Sequence, residues 1–177
     1  MKTSLYQVVV IANDFQIPFH DERALSLFKL FLRRERPDWL ILNGDFQDFW
    51  EISSYDLTPR RGQEFKRQIE TGQKILRSLR HSLPRARITW IEGNHEFRMR
   101  KYLIQNAREL YGLPGVSVPD IFDLKRLKIE YAACHELATI INSPITSFAS
   151  ATSTWATGTG CQSTERMPPK FWSRKKA

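Results

Sequence analysis

Three short stretches of the chain carry acidic, amide and imidazole groups directly after an apolar run. They are Asn13–Gln16, Asn43–Asp48 and Gly93–Glu96. Carboxylates that meet in one crevice repel one another and stay partly protonated unless a cation lies among them. Oxygen ligands with one candidate nitrogen suit Mn²⁺, Mg²⁺, Fe or Zn²⁺ better than copper or an iron–sulfur cluster. The residue types therefore favour a site for divalent metal ions.

The elements around these stretches are expected to bring them together. Apolar runs in "YQVVVIAND", "DWLILNGD" and "RITWIEGN" are typical of strands buried on both faces. A helix is predicted from Asp21 to before Pro37, another in "EFKRQIETGQKILRSLRHSLP", and a third after His95. Alternating strands and helices predict an α/β fold with a parallel sheet flanked by helices. Ligands bind such sheets at the edge where the carboxyl ends of the strands meet.

Each of these polar residues also has a simpler structural interpretation. Asp14 and Asp45 are typical N-cap or turn residues, and Asp48 is placed to cap a short helix in "DFWEISSY". The arginines of "FRMRK" fit either phosphate contacts or a solvated basic face. The interpretation as a metal site depends on all three stretches occurring together, each after a strand.

In order and context, these stretches resemble a known family. A strand that ends in Asp-x-polar, then "GDFQD", then "GNHE" is similar to the first three motifs of the calcineurin-like metallophosphoesterases, which are D-x-H, G-D-x-x-D and G-N-H-D/E. The resemblance covers residues 5–131. It implies an α/β phosphoesterase sandwich of mostly parallel strands flanked by helices. We expect the chain to hold the N-terminal portion of that fold, incomplete on its C-terminal side.

The resemblance implies a set of metal ligands. Asp14 would bind the first metal ion, Asp45 would bridge two metal ions, and Asn94 would bind the second. Gln16 stands where the family usually has a histidine, and its amide oxygen would be a weaker ligand that favours a harder cation. The implied cofactor is a divalent metal at two sites, with Mn²⁺ expected first and Mg²⁺, Fe or Zn²⁺ as alternatives.

The resemblance also implies the reaction. His95 would be the general acid near the substrate oxygen, and Asp48 would hydrogen-bond His95 and set its tautomer and charge. The expected function is metal-dependent hydrolysis of phosphomonoesters or phosphodiesters by metal-activated water. A net charge of +8 and a pI near 9.7 favour a nucleotide or a nucleic acid as the phosphoester partner.

The chain departs from the family pattern after Glu96. The family's later G-H and G-H-x-H motifs supply three histidines, and nothing after Glu96 matches them, since His135 lacks the preceding glycine. From residue 132 the sequence is rich in Ser, Thr and Ala and shows no sustained period. We therefore predict a metallophosphoesterase portion at residues 1–131 and a poorly ordered tail at residues 132–177. A shifted reading frame after Tyr131, or a truncation, is our hypothesis for this change.

Two alternatives to an active enzyme stay open at the level of sequence. One is a non-catalytic, truncated family member, and the other is a basic nucleic-acid-binding module. Cys134 and Cys161 have no CxxC spacing, so neither a thiolate zinc site nor a disulfide framework is indicated. Because the chain shows no signal-peptide core and no apolar run of about 20 residues, the expected location is the cytoplasm, without membrane contact.

Overall fold

The computed structural model describes residues 7–53 and 61–133, without the side chains of residues 61–63. The strands are β1 (Val9–Ala12), β2 (Trp39–Asn43), β3 (Arg87–Ile91) and β4 (Glu130–Ala132). The helices are α1 (Glu22–Glu35), α2 (Arg61–Ser82), α3 (Asn94–Asn106) and α4 (Val118–Ile121), with 3₁₀ turns at Trp50–Ile52 and Arg108–Leu110. The predictions for Cys134, His135 and Cys161, and for the tail beyond residue 133, lie outside the described residues.

The four strands form one parallel sheet in the order β1-β2-β3-β4. In register across it, Ile11 pairs with Ile41, Leu42 with Trp90, and Trp90 with Tyr131. Because parallel crossovers are almost always right-handed, a sheet whose strands follow the chain order carries its connecting helices on one face. The predicted α/β fold, a parallel sheet flanked by helices, is confirmed.

The first strand differs from its prediction. β1 lies at the edge of the described sheet, where Val8 and Ile11 keep 45% and 41% of their surface exposed. By contrast, β2 lies between β1 and β3, and Trp39–Leu42 is buried. An apolar run indicates that a strand forms, but it does not say how many neighbours that strand has. The prediction that β1 is buried on both faces is therefore wrong.

Local hydrogen bonds fix the beginnings of α1 and α3. The side chain of Asp21 accepts two N–H groups of the first turn of α1, at 2.7 and 2.9 Å, as its predicted N-cap role requires. The sequence predicts α3 after His95, whereas the structure begins it at Asn94. The Glu96 carboxylate accepts the N–H of Gly93 at 2.8 Å, which starts the helix earlier. Asn94 and His95 consequently occupy the first turn of α3.

Trp90 lies at the centre of the main apolar cluster, with no exposed surface. Its ring centroid is 4.8 Å from that of Phe46, 5.3 Å from that of Phe122 and 5.6 Å from that of Tyr131. The helices contribute Leu25, Leu32, Ile75, Leu76, Leu79, Met99 and Leu103 to the same cluster. Close aromatic packing therefore supports the end of β3, from which the stretch Gly93–Glu96 continues.

Among the described residues, no helix is both long and apolar enough to cross a membrane.

Gly72 marks a tight contact between α2 and this core. A Cβ at Gly72 would lie 1.6 Å from Nε2 of Gln47 and 2.8 Å from Cε1 of Phe122. Both side chains are buried, at 0% and 1% exposure, so neither can move freely into solvent. Glycine is therefore required here for packing, although it is a poor helix former.

We expect Gly72→Ala to lower the free energy of unfolding by about 1–3 kcal/mol, because overpacking outweighs the gain in helix propensity. Urea denaturation followed by tryptophan fluorescence measures this change. The control is Lys74→Ala, which removes an exposed side chain of the same helix and should change stability by less than about 0.5 kcal/mol. A Gly72→Ala protein as stable as the wild type would contradict the described packing.

Candidate active site

The segments that follow β1 and β2 run side by side beyond the sheet. The N–H of Asp14 donates to the carbonyl of Gly44 at 3.3 Å, and the N–H of Gln16 donates to the carbonyl of Asp45 at 2.9 Å. A parallel bridge between Ile17 and Gln47 continues this pairing. Two of the three predicted polar stretches are therefore held together by backbone hydrogen bonds.

Three of the four candidate metal ligands have a left-handed backbone. The φ angle is 56° at Asp14, 47° at Gln16 and 51° at Asp45. For residues with a Cβ, this conformation costs about 1–2 kcal/mol each, although aspartate tolerates it better than most. Such strain concentrates at functional sites, where the surrounding structure enforces it. Three of the seven non-glycine residues with a positive φ in the described part of the chain are therefore predicted metal ligands.

The third stretch reaches Asp45 from the start of α3. The backbone N–H of His95 donates to Oδ1 of Asp45 at 3.0 Å. A Cβ at Gly93 would lie 2.2 Å from that same oxygen, so only glycine permits the contact. Asn94, the first residue of α3, is exposed beside it. Asp45, Asn94 and His95 thus meet at one edge of the sheet, which Asp14 reaches from β1.

A buried carboxylate ties these stretches together. Oε2 of Glu96 accepts the N–H groups of Asp45 at 3.0 Å and Gly93 at 2.8 Å, and Oε1 accepts the N–H of Gln47 at 2.8 Å. Burial raises the pKa of Glu96 to about 7. The N–H donors of Gln47 and Gly93 favour the charged form and lower this pKa, but the effect of burial is larger. The metal-site interpretation of the sequence leaves Glu96 without a role. Its position three residues after Gly93 is the spacing of a capping box, which was the available signal.

His95 is held between Asp48 and Arg98. Its Nδ1 lies 3.1 Å from Oδ2 of Asp48, and its Nε2 lies 3.1 Å from Nη2 of Arg98. Arginine has only donors, so Nε2 is the acceptor and the proton of the neutral ring lies on Nδ1, facing Asp48. The Asp48 carboxylate beside Nδ1 and the charge of Asp45 raise the pKa of His95, whereas burial and the charge of Arg98 lower it. The net direction of the pKa shift is upward.

The structure distinguishes between the arginines that the sequence left open. Nη1 of Arg98 donates to the backbone carbonyl of Asp48 at 2.9 Å and lies 3.4 Å from its Oδ1. Arg100 instead donates to Oε1 of Glu92 at 2.8 Å. No spacing rule separates these two arginines in "FRMRK", because the choice depends on which side of α3 faces the segment after β2.

The candidate ligands differ in burial and in donor type. Asp45 is 4% exposed, whereas Asp14 and Asn94 are exposed and Gln16 is half-buried. Within residues 7–53 and 61–133, no three His, Cys, Asp or Glu side chains lie close enough to hold a metal ion. The donor set here is instead two carboxylates and two amides, whose hard oxygens suit Mg²⁺ or Mn²⁺. The donor types of these four side chains therefore fit a hard divalent cation.

We expect Glu96→Gln to lower the free energy of unfolding by about 1–3 kcal/mol, because an amide NH₂ cannot accept the backbone N–H groups that a carboxylate oxygen accepts. Urea denaturation in EDTA measures the change. Glu109→Gln, the same substitution at an exposed position, is the control and should be neutral within about 0.5 kcal/mol. Equal stability of the two variants would show that Glu96 does not join the three segments.

The raised pKa of Glu96 makes the stability difference between the wild type and Glu96→Gln depend on pH. Because the pKa rises from 4.5 to about 7 on folding, the Glu96 contribution to stability is complete below pH 4.5 and is lost as the pH rises through 7. The Glu96→Gln variant lacks this titration, so the stability gap between wild type and variant should narrow between about pH 5 and pH 8. Denaturation of both proteins in EDTA across this range tests it, and a gap that widens with pH would contradict the shift.

Comparison with known families agrees with this geometry. The family model of the calcineurin-like phosphoesterases matches residues 8–157, which is well over half of the chain. The matched span contains every residue of the site described above. No curated protein and no solved structure matches the chain at a significant level. The chain therefore belongs to the calcineurin-like phosphoesterase family.

Proposed function

We propose that the protein hydrolyses phosphomonoesters or phosphodiesters with the help of divalent metal ions. Its family membership supports metal-dependent phosphoester hydrolysis in general. The observation that carries the proposal is the 3.0 Å hydrogen bond from the backbone N–H of His95 to Oδ1 of Asp45. It puts a carboxylate that can hold a cation beside an imidazole that can deliver a proton, and phosphoester hydrolysis uses both.

Asp14 and Asp45, together with the amide oxygens of Gln16 and Asn94, would hold the metal. Mn²⁺ is our first choice, followed by Mg²⁺, Fe and Zn²⁺, with Asp45 as the shared ligand if two ions bind. When bound, a divalent cation supplies positive charge to the phosphoryl oxygens and lowers the pKa of a water molecule. Glu96 supports this site because it fixes the backbone N–H of Asp45 at 3.0 Å.

The contribution of the chain's own side chains to bond cleavage is a proton. Nε2 of His95 donates that proton to the leaving oxygen, which keeps the electron pair of the broken P–O bond, while a water oxygen forms the new bond to phosphorus. The water releases one proton to the solvent, and His95 takes up a proton from the solvent before the next cycle. Asp48, 3.1 Å from Nδ1, orients the ring and stabilises its doubly protonated form. The raised pKa of His95, caused mainly by Asp48, supports this role near neutral pH.

The charge of the chain supports a polyanionic substrate. A net charge of +8 favours a nucleotide or a nucleic acid over a neutral phosphoester. The same charge favours the second candidate function, a nucleic-acid-binding module without catalysis. Salt-sensitive DNA binding that persists in EDTA, with no phosphoester turnover in Mn²⁺, would favour that second candidate.

We expect hydrolysis of an aryl phosphomonoester and an aryl phosphodiester in Mn²⁺ to be abolished by EDTA. Asp45→Asn should lower kcat/KM by about 100-fold or more, because the amide binds a cation more weakly than the carboxylate. Asp123→Asn is the matched control, since Asp123 has the same left-handed backbone (φ 52°, against 51° at Asp45). Equal loss in the two variants, or turnover that EDTA does not affect, would contradict the proposal.

A further inference from the structure

Arg98 carries the positive charge next to the proposed proton donor. Nη2 lies 3.1 Å from Nε2 of His95, while Nη1 is held by the carbonyl of Asp48 at 2.9 Å. About a quarter of the Arg98 side chain is exposed, at 26%, against 14% for His95. Within the described part of the chain, Nε and the second hydrogen of Nη2 make no hydrogen bond. The guanidinium is therefore held at Nη1 by a backbone carbonyl and at Nη2 by the His95 ring, and part of its side chain is exposed.

The acceptor that Nη2 now has is a weak one for a guanidinium. Arginine prefers anionic oxygens, and its fork of donors matches the oxygens of a phosphoryl group. A neutral imidazole nitrogen accepts only one hydrogen bond, and that bond is weaker than one to an anionic oxygen. An anionic oxygen that entered beside His95 would therefore compete well for Nη2 of Arg98.

The neighbouring carboxylates favour a positive charge beside His95. Asp45 and Asp48 are buried acids that both contact His95, and the negative charge of each raises its pKa. An anionic phosphoester that approaches His95 also approaches these carboxylates, so repulsion opposes its binding. Arg98 lies on the Nε2 side of the ring, where the leaving oxygen would have to lie.

We propose that Arg98 forms a phosphoryl-binding subsite, in which Nη2 leaves Nε2 of His95 and donates to a non-bridging oxygen of the bound phosphoester. Nη1 stays on the backbone carbonyl of Asp48, so the guanidinium turns about a fixed point. The exchange of acceptors frees Nε2 of His95 to face the leaving oxygen. This inference rests on the proposed function, because it names the group that recognises the substrate of the same site.

A purely positioning role for Arg98 predicts different kinetics. If Arg98 only holds Asp48 and His95 in place, its loss lowers kcat but leaves the affinity for a phosphoryl group unchanged. If Arg98 contacts the phosphoryl group, its loss weakens the binding of inorganic phosphate, which has no leaving group for His95 to protonate. Phosphate affinity therefore separates the two roles.

The experiment measures inorganic phosphate as an inhibitor of aryl phosphoester hydrolysis in Mn²⁺, and the rise in melting temperature that phosphate gives the Mn²⁺-loaded protein. Arg98→Gln should raise the inhibition constant of phosphate by about 10- to 100-fold, as expected for a lost charge-assisted hydrogen bond. Arg98→Lys should lie between wild type and Arg98→Gln, because it keeps the charge but loses the fork. The matched control, Lys101→Gln, removes an exposed positive charge from the same helix and should behave as wild type.

Each outcome decides the inference. An inhibition constant unchanged in Arg98→Gln, with a reduced kcat, would overturn the subsite and leave a positioning role. If Arg98→Gln does not fold, Arg98→Lys decides by the same comparison. A wild type that hydrolyses no ester, but whose melting temperature rises with phosphate more than that of Arg98→Lys, would support the subsite and count against the proposed function. A wild type that phosphate affects in neither assay would overturn the subsite.

Discussion

The candidate site depends on one buried carboxylate. Glu96 accepts backbone N–H groups from the segment after β2 and from the turn before α3, and none of its own surface is exposed. Without this acceptor, N–H groups at Asp45 and Gln47 would be buried with no partner, which proteins rarely tolerate. The positions of the candidate metal ligands are therefore set by a residue that is not itself a candidate ligand.

The same edge of the sheet also carries several unfavourable local conformations. The left-handed φ angles at Asp14, Gln16 and Asp45 are unfavourable, and so is the loss of hydration of the Glu96 carboxylate. The aromatic packing of Trp90 and Phe46 lies immediately beneath and is fully buried. Apolar burial in this core offsets the local cost, so the polar edge can keep a conformation that the isolated segments would avoid.

Both ring nitrogens of His95 lie beside charged side chains. Asp48 orients the ring through Nδ1, and Arg98 occupies Nε2, the nitrogen that would have to deliver the proton. A carboxylate and a guanidinium thus lie beside the two nitrogens of one imidazole. The carboxylate raises the pKa of His95, and the guanidinium lowers it. A phosphoryl group that draws Arg98 away would change this balance, so substrate binding and the proton-donating state of His95 would be linked.

Local sequence signals indicated the strands and helices that carry the candidate site. Continuous apolar runs gave β2 and β3, Asp21 gave the start of α1, and the order of the three polar stretches indicated the family and the edge of the sheet at which a site forms. The residues predicted as metal ligands were named from that order, and their binding of metal is still a prediction. Each of these inferences uses only residue types and their order along the chain, so it needs no knowledge of the packing.

Tertiary structure decided the remaining features. The exposure of β1 depends on how many strands flank it, and the choice between Arg98 and Arg100 depends on which side of α3 meets Asp48. Glu96 binds Asp45 across 51 residues of sequence, and His95 binds it across 50. Contacts over such separations exist only once parallel pairing has brought the strand ends together, and no local pattern of residues encodes that distance.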